Sequence, residues 1–171
     1  MAVFGGSGMN DLPEWLPAIV SVDGMWDDVL AKLYVLFTTD FKGNQLFLNG
    51  IVVWYDRRIL EGEKYEEGFW HLITKKDKQT GERLLDNRRA ERLPWCRPVI
   101  ECSDKPEIKI WNNREGSNKI RTYVWLENFD YVVILEKHNR KFGLIMFLIT
   151  AYHLDGESSR RKMRKKYEKR L

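Results

Sequence analysis

Cysteine, histidine and long apolar runs are all scarce in this sequence, and each scarcity narrows what the chain can be. There are two cysteines, Cys96 and Cys102, without the spacing of a zinc site. They read as reduced, structural residues in a cytoplasmic setting rather than as a disulfide framework. The longest apolar run, Phe142 to Ala151, is of strand length and free of charge, so no membrane span is expected. The opening MAVFGGSGMN has neither a basic n-region nor an apolar h-region, so no secretory signal is expected. A GxxxxGK phosphate loop, a GxSxG elbow and short-spaced carboxylates aligned on a strand face are also missing. Metal-dependent nuclease chemistry needs clustered carboxylates, so neither a metal nor a cofactor is expected.

What is present is enough for one folded domain. The chain has 171 residues, of which 43% are hydrophobic and 13% aromatic, ample for a core. The net charge of +4 is unevenly spread. Residues 1–74 hold 5 basic and 11 acidic side chains, whereas residues 155–171 hold 8 basic and 3 acidic. A second basic segment, 75–97, holds 8 basic and 4 acidic. Such asymmetry suits a polyanionic partner on one surface, or equally a solvated helix face and an exposed arginine-rich loop.

Periodicity predicts an α+β fold: an N-terminal helix packed on a curved antiparallel β-sheet, with a basic C-terminal helix over 157–170. A flexible N-terminus is expected over 1–11 and a single domain over 12–171. Residues 12–20 carry two prolines and read as a short, broken helical stretch. Asp23 or its neighbour is expected to cap a helix from Met25 to about Asp40. IVVWYDRRI (51–59) reads as a strand, with FWHLITK (69–75) as its antiparallel neighbour. Asp86 can cap a helical segment through Arg92 that breaks at Pro94 and resumes toward Cys102. IKIW, KIRTYVWLE, YVVILEK and FGLIMFLITAY, separated by short polar turns, predict an antiparallel meander.

Strand alternation puts Arg121, Tyr123 and Trp125 on one face and Ile120, Val124 and Leu126 on the other. It likewise groups Lys109 with Trp111, and Thr150 and Tyr152 with Met146 and Leu148. The resulting aromatic and cationic face is suited to bases and phosphates, or to packing beneath another layer. His71 is one of three histidines and the natural general base for a ribose 2′-hydroxyl. Arg88, Arg89, Arg92 and Arg97 form the densest guanidinium cluster outside the tail, suited to phosphate oxygens or to salt bridges with Glu91 and Glu101. Thr150 and Tyr152 offer hydroxyl donors.

Taken in order, GFWHLIT at 68–74, RRAERLPWCRPVIE at 88–101, IKIW at 108–111, RTYVWLE at 121–127 and ITAYHLDGESSRRKMRKKYE at 149–168 resemble small phage- and mobile-element-encoded bacterial proteins. These are associated with the barnase–EndoU–colicin–RelE (BECR) superfamily of metal-independent ribonucleases and toxins. The resemblance implies a hydrolase that cleaves RNA by 2′-hydroxyl attack, leaving a 2′,3′-cyclic phosphate. It implies His71 as general acid or base, Arg92 or Arg88 as phosphate clamp, and Thr150 and Tyr152 as hydroxyl contacts. Arg89, Lys109 and Arg121 would bind substrate, with Trp125 as a stacking surface. The expected setting is the bacterial cytoplasm, as a toxin or phage effector acting on tRNA or mRNA and held by an acidic antitoxin or inhibitor protein. The alternatives are a non-catalytic nucleic-acid-binding phage accessory protein and a protein-interaction module.

Overall fold

The structure, a computed structural model, describes residues 11–171. The flexible segment expected over 1–11 therefore lies outside the described residues except for Asp11. Residues 12–20 contain only a turn, closed by Leu16 N–H donating to Pro13 O at 3.0 Å, in place of the expected helical stretch.

Helix α1 (Trp26–Phe41) buries Val29, Leu33, Phe37 and Phe41, a stripe at four-residue spacing. Asp27 and Asp28 lie in its first turn, where the helix dipole favours negative charge. Its N-cap is Met25, which makes no side-chain capping bond; Asp23 instead accepts from Ser21 Oγ. Strands β1 (Leu46–Leu48) and β2 (Ile51–Tyr55) form a hairpin through Asn49 and Gly50. Both turn residues have positive φ, 49° and 80°, the conformation that Asn-Gly adopts readily and that matches strand twist.

The segment expected as a strand beside β2 is a helix, α2 (Glu67–Ile73). Glu67, Gly68, Phe69, Trp70, Leu72 and Ile73 are all buried, so the helix has no solvent stripe to betray its period. Gly68 makes this packing possible. A Cβ there would lie 2.8 Å from Tyr55 Cδ2 and 3.0 Å from Asp56 O, and its N–H donates to Asp56 O at 2.8 Å. The chain then makes a small hairpin of β3 (Thr74–Lys76) and β4 (Arg83–Leu85). Asp86 caps α3 (Asn87–Glu91) by accepting from Arg89 N–H at 3.1 Å. A 3-10 turn at Leu93–Trp95 leads into α4 (Cys96–Glu101), so the expected break at Pro94 is present. Both cysteines are free.

Strands β5 (Ile108–Glu115), β6 (Lys119–Leu126), β7 (Tyr131–Arg140) and β8 (Gly143–His153) form the meander, followed by α5 (Gly156–Glu168). The sheet order is β1-β2-β8-β7-β6-β5. It is mixed rather than wholly antiparallel, because β2 joins β8 in parallel, with Val53 opposite Met146 and Tyr55 opposite Leu148. The fold is α+β, with helices on both faces of the sheet. One face carries the main core, in which Phe37, Phe69, Leu93 and Ile100 pack with Val124, Leu126, Val133 and Leu148. On the other, Met163 and Tyr167 of α5 cover Trp111, Tyr123, Trp125, Val132 and Ile134.

A β-bulge revises the expected face of the hydroxyl pair. Ile134 pairs with Thr150 and Leu135 with Leu148, so Ile149 is an extra residue in β8. Parity flips there. Thr150 and Tyr152 share the α5 face with Val132 and Ile134, while Met146 and Leu148 belong to the main core.

Because the contact at Gly68 is backbone against backbone and ring, Gly68→Ala is expected to destabilise the fold by about 1–3 kcal/mol. A shift of the urea midpoint at constant m-value reads this; an unchanged midpoint would mean that α2 moves off β2 freely.

Candidate active site

Strand β2 stops at Tyr55, but β8 runs on to His153, leaving the last residues of β8 without a β2 neighbour. Helices α2 and α3 fill that edge. An open pocket of about 290 Å³ lies there, lined by His71, Arg83, Arg89 and Thr150 together with Thr74, Lys75, Lys76 and Ile149.

The pocket wall is built from the end of α2. A helix leaves its last four carbonyls without intrahelical partners, and here the surrounding residues supply donors to three of them. Trp70 O accepts from Thr74 Oγ1 at 2.6 Å, and Ile73 O accepts from Asp86 N–H at 2.9 Å. His71 O accepts from Thr150 Oγ1 at 2.9 Å and from Arg89 Nη1 at 3.2 Å. The same Nη1 donates to Thr74 O at 2.6 Å and faces Thr150 Oγ1 at 3.3 Å. Arg89 thus joins α3 to α2, β3 and β8, and none of these bonds uses Nη2. Its guanidinium sits over the Tyr152 ring, 5.5 Å from the centroid, which gives it a flat aromatic backing.

His71 is partly exposed to the pocket, and its Nε2 lies 3.5 Å from Glu67 Oε2 one turn earlier. Glu67 is buried and also accepts from Arg83 Nη2 at 2.8 Å. A histidine, a carboxylate behind it and a guanidinium beside it therefore form one chain. Burial pushes the His71 imidazole below its ordinary value; Glu67 opposes the shift and Arg83 adds to it. Near neutrality the ring is uncharged and able to accept a proton. Burial also lowers the pKa of Arg89, against the pull of Asp86, though a guanidinium remains charged at any physiological pH. The Tyr152 phenol is pushed up by burial and stays protonated.

The residues expected at the site from sequence divide into two groups. His71, Arg89 and Thr150 meet at the pocket, and Tyr152 stands behind Arg89. Arg92 does not line it: its Nη1 bonds to Arg88 O and Glu91 Oε2, and its guanidinium stacks on Trp95. Arg88 is exposed and pairs with Asp155 at 3.6 Å. Arg97 ties α4 to the α1 end through Asp40 O and Asn44 O. Arg121 pairs with Glu136 at 3.1 Å, and Lys109 pairs with Glu127 at 2.5 Å while lying over the Trp125 ring. Trp125 is 0% exposed beneath α5, so the stacking role expected for it has no open ring face. The aromatic strand face is thus largely a packed layer where α5 crosses it.

Glu67, Arg83, Lys75 and Lys76 are the site residues that sequence reasoning missed. The Glu67–His71 spacing of four is the signal for a helical pair, and it is invisible when the segment is read as a strand. Among the described residues no group of three or more His, Cys, Asp or Glu is placed to hold a metal ion, and no helix is long and apolar enough to cross a membrane.

Since the unfolded chain takes up the proton first, protonation of His71 costs stability as pH falls through 6.5, its ordinary value. An imidazole titration by NMR is expected to give His71 a midpoint below 6.5. Glu67→Gln should lower it further by removing the opposing carboxylate. A midpoint at or above the ordinary value would contradict this electrostatic account.

No family model, curated protein or solved structure matches this chain.

Proposed function

We propose that this protein is a metal-independent endoribonuclease whose centre is the pocket at the end of α2. The observation that carries the reading is the meeting of a neutral histidine with Arg83, Arg89, Lys75 and Lys76 around one open cavity. A proton acceptor beside clustered cations suits a hydroxyl that attacks a neighbouring phosphodiester.

In this mechanism His71 takes the proton from a ribose 2′-hydroxyl. The 2′-oxygen forms a bond to phosphorus, the bond from phosphorus to the 5′-oxygen breaks, and a 2′,3′-cyclic phosphate results. The departing 5′-oxygen takes up a proton, for which the ammonium groups of Lys75 and Lys76 are the donors on the pocket wall. Arg83 and Arg89 offset the negative charge that builds on the phosphate oxygens. Glu67 is a positioning residue that orients the His71 ring. Thr150, whose hydroxyl is engaged by His71 O and Arg89, holds the guanidinium rather than the substrate. The clamp is therefore assigned to Arg89 and Arg83 in place of Arg92 or Arg88. The proposed setting is the bacterial cytoplasm, as a toxin or phage effector acting on tRNA or mRNA, with an acidic antitoxin as a partner.

A second reading, a non-catalytic nucleic-acid-binding protein, is favoured by α5. Arg161, Lys162 and Lys165 on this helix and Lys169 at its C-cap are exposed and take part in none of the salt bridges among the described residues. Deleting α5 would not test it cleanly, because Met163 and Tyr167 cover Trp111 and Trp125.

Incubation with total RNA in EDTA separates the readings. The ribonuclease predicts cyclic-phosphate ends, a loss of roughly 100- to 10,000-fold in His71→Ala, and a rate near wild type in Arg92→Ala. Equal cleavage by wild type and His71→Ala would reject the assignment. The binding reading instead predicts no cleavage and salt-sensitive affinity that Lys162→Glu with Lys165→Glu reduces.

A further inference from the structure

Helix α5 packs in a cluster with Trp111 on β5, Tyr123 and Trp125 on β6, Val132 and Ile134 on β7 and Ile149 and Tyr152 late on β8, whereas β1, β2 and the hairpin end of β7 and β8 contribute nothing to that cluster. Large aromatic groups lie on this part of the face. Trp54 is 36% exposed and Phe142 68%, and their rings lie 5.4 Å apart. Phe147 is the cross-strand partner of Trp54, and the His138 ring stacks on Phe147 at 5.1 Å with an interplanar angle of 9°. Phe47, on β1, is also exposed and adds a further ring on the same side. The guanidinium of Arg140 lies 6.0 Å from the Trp54 ring centre.

Position and charge give these rings a direction. Phe147 is three residues before Thr150 on β8, roughly 10 Å along a strand, and Thr150 lines the His71 pocket. The hairpin end, residues 138–147, carries Arg140 and Lys141 and no carboxylate. The neighbouring Glu136 is already engaged by Arg121 and His138. Exposed π-faces bordered by unopposed cations, ending at a cationic pocket, match the alternation of base and phosphate in a nucleic-acid strand. A second copy of the chain fits poorly, because a self-complementary contact through this face brings the Arg140 and Lys141 groups of both copies together.

We propose that Trp54, Phe142 and Phe147, with Arg140 beside them, form a stacking track for unpaired RNA that leads into the His71 pocket. The inference rests on the ribonuclease reading for the identity of the polymer, and it specifies the substrate class as single-stranded. Bases in an A-form duplex have their faces stacked on one another and offer none to these rings. Trp54 and Phe142 contact neighbouring bases by stacking, and Arg140 contacts the backbone.

The test uses full-length protein carrying His71→Ala and a fluorescein-labelled unpaired oligonucleotide, read by anisotropy. Trp54→Ala and Phe142→Ala are each expected to weaken binding on the order of 10-fold. Binding of a blunt duplex of the same length should not respond to them. Circular dichroism melts check that each variant folds, and Phe142, the more exposed of the two, keeps the test open if Trp54→Ala does not. Wild-type affinity in both variants overturns the track. So does a similar loss for the duplex, or a dimer in light scattering that Trp54→Ala dissociates, and so does competition by an acidic peptide but not by unlabelled RNA. Cleavage of a dinucleoside phosphate by the wild-type chain reads the pocket alone. If it is cleaved while both variants bind like wild type, the track fails and the ribonuclease stands. If it stays intact while both variants lose the single strand, the ribonuclease fails and the track stands.

Discussion

The carbonyls at the end of α2 must find donors at a buried sheet edge, and the rest of the site depends on how that is done. Thr150 and Arg89 satisfy His71 O, Arg89 also takes Thr74 O, and Asp86 N–H takes Ile73 O. Leaving such groups unpaired away from water costs about as much as losing a hydrogen bond each. The arrangement therefore locks α2, β3, α3 and β8 together. Its by-product is the candidate site: the ring of His71 and the free side of Arg89 end up on one open wall. The same residues that cap the helix build the pocket.

Two irregularities in the sheet make that corner available. The parallel docking of β2 on β8 ends at Tyr55, which exposes the later part of β8 to the helices. The extra residue at Ile149 then turns Thr150 away from the main core, so it pairs with Ile134 and its hydroxyl meets His71 O of α2. A strictly alternating strand would have buried Thr150 beside Leu148. Helix α5 acts on the opposite flank. By covering Trp111 and Trp125 it converts most of an aromatic face into core, leaving open only the part that carries Trp54 and Phe142.

Legibility followed how local each signal is. The strands of the last third, the Asp86 cap, the break at Pro94 and the start of α5 all come from residues adjacent in sequence, and all were readable. The strand β1 was missed because three residues, Leu46 to Leu48, are too few for a periodic signal, although Asn49-Gly50 marks the turn. Helix α2 was mistaken for a strand because it is buried on nearly every side. Arg92 and Arg89 are indistinguishable by composition. Only the direction of each side chain from α3 separates them, one toward Trp95 and the other toward Tyr152.

The amino-acid sequence by itself determined an α+β chain with an antiparallel meander, a leading helix, a basic closing helix, and His71 with an arginine cluster as candidate chemistry. Alternation, capping and turn residues encode those features through neighbours a few positions away. The tertiary structure alone decided that β2 lies parallel to β8, that Trp125 is sealed, and that Glu67, Arg83 and Arg89 rather than Arg92 surround His71. Those outcomes depend on which surfaces meet across the fold, where burial and the need to satisfy backbone carbonyls outweigh local preference.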